Sequence, residues 1–216
     1  MENRNKKLKI IVVGDYNVGK STFIESYITN YNSKRKIDHT ITNDVITYKI
    51  NHDNKETLLL FCDFSGVQQS KQTNKVFFHN TDGIIVMFDL TNIKSLENIK
   101  SWLIYCNESL GIYNQEPTPF IIVGNKLDLI EDIDNIKVTE INNIMKDVFN
   151  ITEYEYIQCS SINKTNFSTS INAMDILLNK ISEYNLSYLN RRQSDTNIIN
   201  LTIEEIINDN CACTSQ

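Results

Sequence analysis

Short apolar runs alternate along this chain with stretches whose apolar residues recur every three or four positions. The runs at 7–13, 44–50, 57–62, 83–89, 120–125 and 154–159 predict six strands. The spacing of Phe23, Ile24, Tyr27 and Ile28 predicts a helix from Ser21 through Tyr31. A second helical stripe is Leu96, Ile99, Leu103 and Cys106, with Ser95 placed to cap it. A third is Ile141, Ile144, Met145, Val148 and Phe149, opened by Thr139, and a fourth is Ile171, Met174, Leu178 and Ile181. Repeated alternation of strand and helix predicts an α/β fold: a six-stranded, mostly parallel sheet with helices on both faces. His52-Asp53-Asn54-Lys55 joins two strands as a hairpin, so one edge strand should run antiparallel. Periodicity weakens from about Asn190, where Asn, Ser, Thr and Asp take over. The expected organisation is a domain over 1–190 and a flexible tail over 191–216.

Composition narrows the classes. A chain of 216 residues suits one α/β domain with an extension. A formal net charge of −6 argues against a nucleic-acid-binding surface. No apolar run approaches the ~18–20 residues that span a bilayer. The opening Met1-Glu2-Asn3-Arg4 has no signal-peptide pattern, and Glu2 rules out myristoylation of a glycine after the initiator. Cys62, Cys106 and Cys159 fall inside predicted elements and read as core thiols of a reducing compartment.

The chemistry is concentrated after the first strand. Gly14-Asp15-Tyr16-Asn17-Val18-Gly19-Lys20-Ser21 fits G-x-x-x-x-G-K-[ST], and the helix opens at Ser21 and Thr22. A strand, a glycine loop and a helix N-terminus together aim backbone N–H groups at an anion. Lys20 would reach the β- and γ-phosphates of a nucleotide, and the Ser21 hydroxyl would ligate magnesium. Asn125-Lys126-Leu127-Asp128 closes the fifth predicted strand and selects the base. An aspartate there accepts from guanine N1–H and N2–H₂, donors that adenine lacks; sites of this kind reject the wrong ligand by roughly 10⁴-fold or more. Lys126 would lie over the ring and Asn125 would brace base and phosphate loop. Cys159-Ser160-Ser161 ends the sixth strand, where a backbone N–H could meet guanine O6.

These residues resemble the Ras-like small GTPases from about Lys7 to Tyr188, and within them the Rab family. Gly83-Ile84-Ile85-Val86-Met87-Phe88-Asp89 is similar to the Rab fourth strand, and Ser95-Leu96-Glu97-Asn98-Ile99-Lys100-Ser101-Trp102-Leu103 to its S-F-E-N-V-x-x-W-L helix. The resemblance implies a P-loop NTPase fold, GTP/GDP with Mg²⁺ as ligands, and a GTPase that switches effectors in vesicle traffic. It gives Thr40 a role in ligating magnesium and sensing the γ-phosphate. In Asp63-Phe64-Ser65-Gly66 it makes Asp63 a magnesium holder through water, and the Gly66 N–H a γ-phosphate contact. Lys20, Thr40 and Gly66 are thereby the catalytic candidates. Tyr31 would stack on guanine.

The chain departs from the Rab pattern in the switches. Val67 occupies the position of the glutamine that orients the attacking water, and valine has no donor or acceptor for it. Tyr16 replaces a small P-loop residue beside the γ-phosphate, where a GTPase-activating protein inserts an arginine worth 10³–10⁵ in rate. Both changes predict impaired hydrolysis, although Gln68 or a partner residue could substitute. Of the Rab effector-facing aromatic trio, two positions hold Val45 and Cys62, leaving Phe77 or Phe78. Lys34-Arg35-Lys36 reads as a solvated loop.

The chain closes on Cys211-Ala212-Cys213-Thr214-Ser215-Gln216. Cys213 satisfies C-a-a-X by position, while the paired cysteines resemble the Rab double-prenylation site. Glu204, Glu205 and Asp209 give no basic patch, so two lipid chains are physically favoured over one. The expected partners are effectors on the switches, an exchange factor, escort and GDP-dissociation-inhibitor proteins, and a membrane reached through prenyl groups. The expected state is a monomer on the cytoplasmic face of membranes with a cytosolic pool. The rivals are a non-hydrolysing GTP-binding recruitment module, a Ras- or Rho-type signalling GTPase, and a nucleotide kinase, which would need an arginine-bearing lid.

Overall fold

The computed structural model describes residues 6–31, 40–42, 45–52, 55–63, 78–110, 118–130, 136–149, 154–162 and 171–186. Its sheet has the order β2-β3-β4-β1-β5-β6-β7. Here β1 is Lys6–Gly14, β2 Thr40–Thr42, β3 Val45–His52, β4 Lys55–Asp63, β5 Gly83–Asp89, β6 Phe120–Asn125 and β7 Glu155–Gln158. The six expected strands are all present. The β3–β4 hairpin pairs antiparallel, from Val45 against Cys62 to His52 against Lys55. The added strand is the short β2, antiparallel to β3. Its Thr-Ile-Thr sequence is too brief to carry an apolar signature of its own. The pairings β4–β1, β1–β5, β5–β6 and β6–β7 are all parallel.

The helices are α1 Lys20–Tyr31, α2 Ile93–Glu97, α3 Ile99–Leu110 and α4 Ile136–Phe149. A further helix, α5, covers 171–186. Strand alternation sends successive side chains of β1 to opposite faces. Ile10 and Val12 join one core with Phe23, Ile24 and Tyr27 of α1 and Met174, Leu178 and Ile181 of α5. Ile11 and Val13 join the other core, with Ile99, Trp102 and Cys106 of α3 and Ile141 and Met145 of α4. Both faces of the sheet are therefore covered, which explains why β5 is buried at every position. Each large side chain buried in this way stabilises the fold by about 1.5–3 kcal/mol relative to exposure. Cys62, Cys106 and Cys159 are buried and in no disulfide among the described residues.

Two helix starts differ from the expectation. Ser95 does not cap α3: the cap is Asn92, whose side chain accepts from the Lys94 N–H ahead of the one-turn α2. Ser95 is instead buried inside α2, where its hydroxyl donates to Asn92 O at 2.7 Å and accepts from Asp89 N at 3.0 Å. Helix α4 begins at Ile136, before Thr139.

Candidate functional site

The C-terminal ends of β1, β4 and β6 converge on one loop. Gly14 has φ +146°, and a Cβ there would sit 2.2 Å from Met87 O. Gly19 has φ +95°, and its Cβ would sit 2.3 Å from Asn125 Nδ2. Only glycine fits either place, by dihedral and by space. Between them Asn17 is left-handed at φ 62°, a conformation its short polar side chain tolerates. Val18 is buried under the loop, and the Tyr16 ring stands 79 % exposed on it.

Lys20 is buried at the first turn of α1. Its Nζ donates to Gly14 O at 3.1 Å and Asp15 O at 2.8 Å, which leaves one of its three N–H groups for a ligand. Burial lowers its pKa, and the Asp63 and Asp15 carboxylates act in the opposite direction. A phosphate in the cradle would relieve the same desolvation. Ser21 Oγ donates to Asp63 Oδ2, so the two expected magnesium holders meet although one lies on α1 and the other ends β4. Among the described residues no group of three or more His, Cys, Asp or Glu is placed to hold a metal. Magnesium suits such a place, because it takes one or two protein oxygens and fills its octahedron with waters and phosphate oxygens. The cradle and this pair fit a magnesium-bound nucleotide. Thr22, the next residue of α1, has an exposed side chain.

The second half of the site is a hydrogen-bonded lattice around Asn125, which is 2 % exposed. Its Nδ2 donates to Val18 O at 2.8 Å, tying β6 to the phosphate loop. Its Oδ1 accepts from Ser161 N at 3.0 Å and Ser161 Oγ at 2.9 Å. Of the segment Cys159-Ser160-Ser161, where a backbone N–H is expected to meet guanine O6, the Ser161 N–H is engaged by Asn125. Ser26 Oγ of α1 donates to Ser161 O at 2.6 Å, closing the lattice from below. Ser160 Oγ donates to Asp128 Oδ1 and fixes that carboxylate from one side.

Lys126 is left-handed at φ 65°, a strained backbone for a lysine, and its Nζ pairs with Asp89 Oδ2 at 2.8 Å. Asp89 Oδ1 also accepts from Thr91 N at 2.8 Å and Thr91 Oγ1 at 2.6 Å. Burial would raise the Asp89 pKa, but Lys126 and Thr91 together outweigh it and hold the carboxylate below its ordinary value.

Sequence reasoning missed the partners of Asp15. Its carboxylate accepts from Asn98 Nδ2 at 2.7 Å and Trp102 Nε1 at 2.8 Å, so α3 grips the phosphate loop. The signal lay in an indole in the first turn of α3 and an amide on the residue just ahead of that helix, four positions apart, the indole N–H needing a partner once buried.

Thr40 lies on β2, and Gly66 and Val67 lie outside the described residues. So do Lys34-Arg35-Lys36, Phe77, Cys211 and Cys213, and nothing of the Tyr31 side chain is described. Val45 and Cys62 are cross-strand neighbours. Phe78 is fully buried edge-on against Tyr105, so of the two candidate aromatics it is not the one a partner could touch.

The Ras family model matches residues 9–180. Similar proteins include the Ypt/Rab-type GTPase YPT7 of Saccharomyces cerevisiae, 33% identical over 61% of this chain and 64% of that protein. The Ras-related protein Rab7 of Pisum sativum is 28% identical over 58% of this chain and 61% of its own length. Both matches span less than two thirds of the relative. The Ras-related protein RabH of Dictyostelium discoideum is 29% identical over 88% of this chain and 92% of its own.

Proposed function

This chain belongs to the Ras family, as a Rab-type small GTPase by the relatives it matches, and from that premise we propose a lipid-anchored GTP/GDP switch with slow hydrolysis that recruits effectors in vesicle traffic. The observation that carries the nucleotide reading is the joining of two motifs more than 100 residues apart: the Asn125 amide holds the phosphate loop through Val18 O. Base reading and phosphate gripping then share one rigid unit.

Each residue has a defined task in this reading. Backbone N–H groups of the 14–19 loop and the helix N-terminus take the β-phosphate. The free N–H of Lys20 reaches toward the β- and γ-oxygens. Asp128, steadied by Ser160, accepts from the guanine N1–H and N2–H₂, and the Lys126 stem covers the ring. Ser21 and Thr40 would ligate magnesium and Asp63 would hold it through water, and the ion would supply neutralisation of the charge that develops on the phosphates. The Gly66 N–H contacts the γ-phosphate.

Slow hydrolysis rests on two side chains. Val67 cannot orient a water. The Tyr16 side chain is exposed on the loop, and in this reading it would crowd out a partner's arginine. The residual rate is then the intrinsic one. Single-turnover hydrolysis of GTP by the wild type and a Val67→Gln variant tests this: the variant should be faster, and a wild type as fast as its relatives would reject the idea. A permanent GTP-bound platform is the second reading, favoured by the same valine. Protein purified with GTP intact after hours at 37 °C would select it.

The domain extends over 1–190, and 191–216 is a tail anchored through prenyl groups on Cys211 and Cys213. It places the protein on the cytoplasmic face of membranes, with a cytosolic pool held by escort and GDP-dissociation-inhibitor proteins. An exchange factor reloads it, and it acts as a monomer. The loss of aromatic anchors at Val45 and Cys62 directs it to effectors other than those that read an aromatic trio. Among the described residues no helix is long and apolar enough to cross a membrane.

A further inference from the structure

At the far end of the sheet from the phosphate loop the chain builds a second concave surface. A cavity of about 560 Å³ is lined by Lys7 and Lys9 of β1, Asn80 and Asp82 ahead of β5, and Tyr184 and Asn185 near the end of α5. That size falls within the 300–1,000 Å³ of small-molecule sites. Lys7 and Lys9 are two apart on a strand, so they stand on one face. Neither takes part in an ion pair among the described residues. The two ammonium groups make this patch locally cationic, with Asp82 the one carboxylate of its lining, on a chain whose net charge is −6.

The floor of the cavity is rigid. Asp82 N donates to Lys9 O at 2.9 Å, and Lys9 N donates back to Asp82 Oδ2 at 2.8 Å. Thr81 Oγ1 donates to Phe78 O at 2.8 Å, and Lys9 Nζ rests on His79 O at 3.0 Å. The single carboxylate of the lining is thus held by backbone. The remaining polar groups are donor-rich: two ammoniums and the amides of Asn80 and Asn185. Leu60 supplies an apolar wall. Lysines placed as point charges, with neutral amide donors around them, suit a phosphate rather than a planar carboxylate.

We propose that this groove binds a phosphate monoester, separately from the nucleotide. The ester is either a free metabolite or the headgroup of an anionic lipid. Asn185 lies at the end of α5, where the chain continues into the segment bearing Cys211 and Cys213, so a headgroup is within the protein's ordinary surroundings if that segment is lipidated. Lysines beside an anionic surface gain about 1 kcal/mol each. The groove would supply the electrostatic adhesion that the acidic tail does not.

The test uses the full-length, unlipidated chain loaded with GDP. Inositol 1,4-bisphosphate is titrated while the amide resonances of Asn80, Thr81, Asp82 and Asn185 are followed by NMR. Flotation is measured with phosphatidylcholine vesicles, with and without phosphatidylinositol 4-phosphate. Saturable shifts at those amides are expected, weakened at least tenfold in K7Q/K9Q and in N185D, with K49Q as the unchanged control. N185D covers the case in which K9Q disturbs packing. Saturation by the soluble probe without vesicle capture identifies a free ester, and capture that needs the phosphoinositide identifies a headgroup. Absence of saturable shifts, or equal binding by K7Q/K9Q, N185D and wild type, overturns the proposal. Failure to retain GDP would be a separate result against the nucleotide reading, and the titration would still be read on apoprotein.

Discussion

The indole N–H of Trp102 donates to Asp15 Oδ1 at 2.8 Å, joining the first turn of α3 to the phosphate loop. Asn98 holds the second oxygen of the same carboxylate. Asp15 therefore spends its side chain inside the protein, while its carbonyl takes the Lys20 ammonium. The loop is shaped by α3 as much as by its own glycines. A hydrogen bond to a charged group contributes about 1.5–3 kcal/mol. Trp102→Phe keeps the packing and removes the bond, so urea unfolding should show a loss of about 2 kcal/mol. Release of a fluorescent GDP analogue should quicken in the same variant. Trp102 is the sole tryptophan, so its emission should also respond to nucleotide in the wild type.

Gly19 offers a sharper test of the cradle. A methyl group there meets the Asn125 amide at 2.3 Å in a backbone conformation that L-residues avoid. Gly19→Ala should leave the far-ultraviolet circular dichroism intact while GTP and GDP affinity falls by about 100-fold, close to 2.7 kcal/mol. Calorimetric titration measures it. An alanine variant that binds normally would mean that the loop is not the phosphate site.

Ser161 provides two of the bonds to Asn125 Oδ1, and only one of them uses its side chain. Ser161→Ala should therefore cost about 1 kcal/mol and speed GDP release roughly fivefold. Ser26→Ala, which frees Ser161 O, should act in the same direction. Stopped-flow release rates compare the two.

Asp82 predicts a pH effect with a definite sign. Burial raises its pKa, against the pull of the Lys9 N–H and the Lys6 and Lys9 charges. The folded protein thus keeps a proton that the unfolded chain gives up near 3.8. Its contribution to stability is complete below that value and is lost as pH rises through the raised folded pKa. Asp82→Asn preserves an acceptor for Lys9 N and removes the ionisation. The variant should match the wild type in acid and exceed it in stability at pH 7. Denaturant melts across that range check the crossing.

The strands were legible because apolar runs covered on both faces leave little ambiguity, and the 14–21 and 125–128 motifs stood out because each sets particular residue types at fixed spacing. The structure brings the two together through Asn125 and Val18. Ser95 misled because a serine before an apolar stripe reads as a cap, whereas Asn92 three residues earlier opens a separate short helix. β2 was hidden in three residues that owe their strand to β3. Contacts such as Trp102 to Asp15, or Lys126 to Asp89, join positions tens of residues apart, and only the folded sheet selects them. The groove over Lys7 and Lys9 was invisible for the same reason: its walls come from four separate parts of the chain.

The position of β1 in the middle of the sheet has a mechanical consequence. To one side lie β2, β3 and β4, bearing Thr40, Val45, Cys62 and Asp63; to the other lie β5, β6 and β7, leading to Asn125, Asp128 and Ser161. The two halves share their cores: Tyr48 and Phe61 cluster with Ile85 and Val123 on one face, and Cys62 clusters with Val86 and Phe88 on the other. A strand in that place is a common spine, so a change of volume on one side of it is felt by the layers on the other.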